Sequence, residues 1–172
     1  MTKYPKVLEP TSQEVMKIGF NQKICVPKAT PTFTPWMGKP IDDDYNGKQV
    51  LDIHGRPAFA ELAILWAMQA ENWDGVWIDT YRRKYRKGYW GVPPLAVLTS
   101  APSKTLEKIY SRVGSRSGAW DVYCWKGKNI LFIEAKRMNK DIIRETQRRF
   151  LKAGIDVGLT PENYLVVEWS LK

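Results

Sequence analysis

Apolar and polar positions change their period several times along the chain, and each change marks an element. Between residues 57 and 71 Ala, Phe, Leu, Ile, Trp and Met fall on nearly all sides of a helical wheel, which predicts a buried helix with Pro57 in its first turn. Residues 75–80 and 94–99 are short β-type runs. Residues 103–113 place Leu106, Ile109, Tyr110 and Val113 on one helical side. Residues 119–125 and 129–136 are two strand-like runs joined at Gly127-Lys128, with glycine at the first central position, as a type II′ hairpin prefers. Asn139 predicts the cap of a helix to about residue 153, with Gly154 at its stop position, and residues 163–171 form a last apolar strand.

Before residue 57 the signals are local. Thr11-Ser-Gln-Glu14 has capping-box spacing ahead of Val15, Met16 and Ile18, so a short helix is expected there. Six of the eleven prolines fall in the first 40 residues, and 28–40 reads as extended and irregular. Asp42-Asp43-Asp44 reads as a solvated loop. With no internal repeat, residues 1–55 are expected to be a Pro-rich extension with a short helix, within the same globular unit as a main domain over 56–172.

Composition narrows the classes. The 172 residues are 44% apolar and 26% charged, which describes one globular domain. The longest mostly apolar stretch, residues 58–70, is broken by Glu61 and is far short of the ~20 residues of a membrane span. No secretory signal is recognisable at the start, so an intracellular, cytoplasmic protein without membrane contact is expected. Cys25 and Cys124 have neither disulfide nor zinc spacing and read as ordinary buried thiols, and the single histidine, His54, lacks the partners of a triad or a histidine metal site.

Charge changes the picture more. The net +9 is regional: residues 82–152 hold 18 Lys+Arg against 5 Asp+Glu. A polyanion, most simply a phosphate backbone, is the expected partner of such a stretch. Its densest part supplies Arg82, Arg83, Lys84, Arg86 and Lys87 among Tyr81, Tyr85, Tyr89 and Trp90, and a Gly/Ser-rich loop adds Arg112 and Arg116. Cations of this kind pair with phosphates while aromatic faces stack on bases.

Two carboxylates stand out against this background. A two-residue turn at Gly127-Lys128 pairs Tyr123 with Phe132 and Asp121 with Glu134, and directly opposed residues project from one face with Cβ atoms about 5 Å apart. Lys136 shares that face, whereas Val122, Cys124, Leu131, Ile133 and Ala135 occupy the other, wholly apolar one. A divalent cation would convert the repulsion into coordination, and hard oxygen ligands favour Mg²⁺ or Mn²⁺. A surface triad relieved by Lys136 alone is the bland alternative. Glu61 is the single charge on the apolar helix before its end, and Gln147 falls on the packed face with Ile143 and Phe150, so both need partners.

Asp121 followed by Glu134-Ala135-Lys136 resembles the Asp…(Asp/Glu)-x-Lys signature of the PD-(D/E)XK nuclease superfamily, with Glu61 at its acidic position on the first core helix. The run Ser117-Gly-Ala-Trp-Asp-Val122, with Gln147 before Phe150 and Leu151, is most similar to the VRR-NUC-type branch. The resemblance covers residues 57–169, and Trp120 stands where the superfamily name has proline. It implies an α/β fold with a restriction endonuclease-like core, a central mixed β-sheet flanked by helices, closed by a right-handed crossover to a parallel last strand. It further implies that Asp121, Glu134 and the Ala135 carbonyl ligate Mg²⁺ or Mn²⁺, with Glu61 ligating through water or orienting it. Lys136 would position the attacking water, and Gln147 would orient Lys136 or a substrate phosphate.

The expected activity is hydrolysis of phosphodiester bonds in duplex or branched DNA by a metal-activated water, as in restriction, repair or recombination. A homodimer is one option, since cutting both strands usually takes two sites. Two alternatives stay open: a non-catalytic nucleic-acid-binding module on the same fold, and an assembly protein whose basic face meets an acidic partner.

Overall fold

The structure, a computed structural model, describes residues 3–89 and 95–172. Its strands are β1 (Ser12–Ile18), β2 (Gln22–Ala29), β3 (Thr32–Pro35), β4 (Leu51–Ile53), β5 (Arg56–Ala58), β6 (Asp74–Asp79), β7 (Lys84–Arg86), β8 (Val122–Lys126), β9 (Asn129–Arg137) and β10 (Tyr164–Leu171). Helix α1 (Ala60–Ala70) lies between β5 and β6, α2 (Ser100–Val113) between β7 and β8, and α3 (Glu145–Asp156) between β9 and β10.

The β8–β9 hairpin has the anticipated register, from Lys126 opposite Asn129 to Val122 opposite Ile133, and Gly127 opens its turn at φ +60°. Alternation then divides its side chains. Tyr123 and Phe132 stack at 4.3 Å between centroids on one face, while Val122, Cys124, Leu131 and Ile133 lie on the other. From β9 the chain crosses through α3 to β10, which pairs with β9 in parallel. The result is a mixed α/β sheet in the order β5-β4-β3-β10-β9-β8-β6-β7, with β2 also on β10 and β1 outside β2. Strands β2 and β3 pair with β10 in one continuous register, Val166 opposite Lys28 and Ser170 opposite Thr32, so they form a single parallel edge interrupted at Thr30-Pro31. Helix α1 covers one face of the sheet and α2 with α3 the other, each over its own apolar core.

Several local expectations give way to tertiary pairing. Residues 12–18 are a strand, not a helix: Met16 and Ile18 are buried while Val15 is 55% exposed, a period of two, and a turn at Gly19 pairs them with β2. The ladder satisfies more backbone groups than the capping-box spacing could. Part of the irregular 28–40 segment is likewise β3. Pro57 lies in β5 opposite Asp52, and α1 starts at Ala60 behind Phe59. Residues 119–121 precede β8. The expected 94–99 strand is absent over residues 95–99, and Pro94 lies outside the described residues. Cys25 is exposed on β2, whereas Cys124 is buried, which pushes its thiol pKa up.

Asn139 does not start α3. It sits at φ +59° in a turn closed by the Arg137 carbonyl and the Asp141 carboxylate, and the helix begins only at Glu145, where the Gln147 side chain accepts the Arg144 N–H at 2.8 Å. Gly154 is inside the helix and not its stop. A Cβ there would lie 1.7 Å from the Tyr164 hydroxyl oxygen, so glycine is required for α3 to settle on β10.

Candidate active site

Sheet and helices bring five predicted residues to one place. Asp121 lies just ahead of β8, where that strand separates from β9. Its Oδ2 accepts the Ala135 N–H at 2.9 Å, in place of a main-chain partner. In an antiparallel pair the N–H and C=O of one residue face the same neighbour, so the Ala135 carbonyl is on the Asp121 edge as well. Gly118, at φ +79° and against the Thr146 backbone, seats the loop before Asp121 on the start of α3. Trp120, fully buried, adds a bond from its Nε1 to the Gln147 carbonyl at 3.1 Å.

Glu134 is 1% exposed. Its Oε1 accepts Gln147 Nε2 at 2.5 Å and pairs with Lys136 Nζ at 2.8 Å, while its Oε2 is buried with no hydrogen-bond partner among the described residues. Burial, and then the neighbouring Asp121 charge, push the Glu134 carboxyl well above its usual range, more than Lys136 can offset. Asp121 is pushed up to about 6, first by burial and then by the charge of Glu61, against the pull of Lys48, the Ala135 N–H and Lys136. Two like charges held close in poor solvent produce such shifts.

Glu61, on the first turn of α1, is buried and ion-paired with Lys48, and its Oε2 also has no partner among the described residues. The Lys48 ammonium lies 5.5 Å from the Phe59 ring centroid and 5.7 Å from that of Trp77. Burial lowers its pKa, but the charges of Glu61, Asp121 and Asp79 outweigh this and hold it raised. Sequence reasoning missed Lys48, which sits in the 1–55 segment with no local pattern around it. It also missed Asp79, although a carboxylate ending the apolar run Val76-Trp77-Ile78 carried the same signal as Glu134.

Asp79 is buried and fully partnered: Tyr45 Oη donates at 2.6 Å, Arg86 Nε at 2.8 Å and the Arg82 N–H at 3.1 Å. Arg86 is therefore buried in the protein, 5% exposed, and is not presented to a polyanion as its place in the basic run suggested. The other cations of that set are at the surface or half-buried, and most are paired. Arg82 binds Asp43 and covers the Tyr45 ring, Lys87 pairs with Asp74, Arg112 with Asp156 and Arg116 with Glu107. Arg83 and Lys84 are exposed and have no ion pair among the described residues; Trp90 lies outside them.

Among the described residues no three His, Cys, Asp or Glu side chains form a group able to hold a metal ion by themselves. The hard-oxygen set at the strand ends is two carboxylates, Asp121 and Glu134, with the Ala135 carbonyl beside them. Two carboxylates raised first by burial and then by neighbouring acids, with a buried Glu134 oxygen that has no partner among the described residues, fit a divalent cation. Among the described residues no helix is long and apolar enough to cross a membrane. No protein-family model matches the chain, and comparison with curated proteins and with solved structures finds no match in either.

Proposed function

We propose that the protein is a Mg²⁺- or Mn²⁺-dependent DNA endonuclease with a restriction endonuclease-like core. One observation carries the reading: Glu134 is buried beside Asp121 and joined to Lys136 and Gln147, yet one of its oxygens has no hydrogen-bond partner among the described residues. A structural sheet would avoid this arrangement, because an uncompensated buried charge is costly. Asp121, Glu134 and the Ala135 carbonyl would hold the cation, with Glu61 next to them. When bound, it would supply an activated water and neutralise charge at phosphorus.

The chain's own residues have separable tasks. Gln147 fixes the Glu134 carboxylate from α3 and leaves Oε2 free for a ligand. Lys136 Nζ, held at 2.8 Å from Glu134 Oε1, supplies positive charge where negative charge builds on the phosphate oxygens, and orients the attacking water. Lys48 pairs with Glu61 beside an apolar wall of Phe59 and Trp77.

The test is a panel of labelled linear, nicked, flap and four-way DNA incubated with Mg²⁺ or Mn²⁺ and with EDTA. Cutting that requires the cation and is lost in Lys136→Ala and Asp121→Asn, with circular dichroism unchanged, supports the reading; equal cutting in EDTA overturns it. The Lys48–Glu61 pair favours the second reading, a binding module without turnover, because it engages one of the three acids internally. That module would bind DNA with a log–log salt slope of about −0.9 per phosphate contacted and cut nothing.

A further inference from the structure

A cavity of about 550 Å³ opens where β6 ends, beside the turn into β7, with Tyr110 of α2 as one wall. Arg83, Lys84 and Arg116 line it, together with Tyr85, Ser115 and Ser117. Asp79 also reaches it, but that carboxylate is already bonded by Tyr45 and Arg86, and Arg116 is paired with Glu107. Arg83 and Lys84 thus leave the cavity with uncompensated positive charge among the described residues. Arg83 adopts φ +55°, a left-handed conformation that costs a non-glycine residue about 1 kcal/mol and is often kept where function uses it. The main chain connects the cavity wall to the acid cluster: the Ile78 N–H donates to the Asp121 carbonyl at 2.7 Å, and Ser117 lies four residues before Asp121.

Guanidinium and ammonium groups, two hydroxyls and a half-buried tyrosine ring together suit a phosphate attached to a flat heteroaromatic group. The volume falls within the roughly 300–1,000 Å³ of small-molecule sites and is too small to admit a duplex. We infer that this cavity is a subsite for one unpaired, phosphate-bearing nucleotide of a nucleic-acid strand, with the phosphate on Arg83, Lys84 and Arg116 and the base against Tyr85. The subsite deepens the nuclease reading and rests on it for the origin of the nucleotide: a strand anchored here enters the acid cluster with an unpaired end. Flapped or single-stranded DNA is then preferred to a closed duplex.

The full chain is titrated calorimetrically, without divalent cation, with dAMP, deoxyadenosine, inorganic phosphate, a short single-stranded oligonucleotide and a closed hairpin duplex. The single strand should bind most tightly, dAMP measurably, and deoxyadenosine, phosphate and the hairpin at least tenfold more weakly than the single strand. Arg83→Gly should weaken single-strand binding at least tenfold while leaving the melting temperature unchanged or higher, because glycine relieves the positive φ. Lys84→Gln should weaken it severalfold. Binding indifferent to Arg83→Gly and Lys84→Gln, or as strong for the hairpin as for the single strand, overturns the inference even if DNA is cut. Tight dAMP binding with no strand binding overturns it in favour of a free nucleotide. Strand binding lost in Arg83→Gly, without cutting of any substrate, upholds the subsite and overturns the nuclease reading alone.

Discussion

Two buried acidic centres lie within a few residues of each other on one sheet, and their surroundings differ in kind. Asp79 at the end of β6 receives three donors, one of them a buried arginine, so its charge is matched inside the protein. Glu134 is held by Lys136 and Gln147 and Asp121 by the Ala135 N–H; both carry raised pKa values, and Glu134 Oε2 has no hydrogen-bond partner among the described residues. Burial is common to both and therefore does not distinguish them. The incomplete partnering does, because a fold gains nothing from a half-satisfied acid unless something else completes it.

The comparison breaks most visibly at Lys136. Lys136→Ala should reduce metal-dependent cleavage at least 10³-fold, about 4 kcal/mol of barrier, while the melting temperature moves little, as followed by gel assay and thermal denaturation. Arg86→Ala should do the reverse. It leaves Asp79 with Tyr45 and a backbone N–H but without its directly bonded countercharge, and chemical denaturation should register a loss of about 3 kcal/mol. If Arg86→Ala instead left stability intact and removed DNA binding, Arg86 would belong to the nucleic-acid surface and the contrast would collapse.

The sequence made the second centre visible and hid the first. The Gly127-Lys128 turn fixes a register whose last pair is Val122 with Ile133, so the next residues, Asp121 and Glu134, come side by side where the strands part. Gln147 could be found because helical periodicity put a polar group on a packed face. Lys48 could not, because nothing near it in the chain indicates that 13 residues later Glu61 will be its partner. The 12–18 strand was misread for a related reason: capping-box spacing is local, whereas pairing with β2 and seating under α3 depend on distant residues. The dense basic run was also ambiguous, since Lys84 and Arg86 share one side of β7, yet Arg86, opposite Trp77, is buried against Asp79 while Lys84, at the strand's start, is exposed.

A smaller effect should appear in pH dependence. Asp121 titrates near 6 in the fold against an ordinary 3.8, so the folded state binds more protons than the unfolded one between those values. Stability without metal should then fall as pH rises from about 4 to about 6 and stay lower above it. Asp121→Asn should flatten that slope, leaving the part that Glu134 contributes, and stabilise the metal-free protein by roughly 1–2 kcal/mol at pH 8, with no gain at pH 4, measured by urea denaturation across pH. Mg²⁺ should stabilise the wild-type protein at pH 8 and not the variant.

The smallest effect sharpens the contrast from the opposite sign. Asp156 on α3 is bonded by Lys152, and its carboxyl is held below the usual value first by that bond and further by Arg112, against the opposing effect of desolvation. Its contribution is present above the unfolded pKa and is lost as pH falls through the folded one, the reverse of Asp121. Because Arg112 is 59% exposed, Arg112→Ala should cost only about 0.3–0.5 kcal/mol at low salt, and less as salt screens the pair. A change that small at Arg112, beside the larger and opposite response at Asp121, would separate a solvated ion pair from an acid cluster built to take a cation. If Arg112 also contacts phosphate, the same variant should lower the salt slope of DNA binding by about one without affecting the cleavage rate of bound substrate.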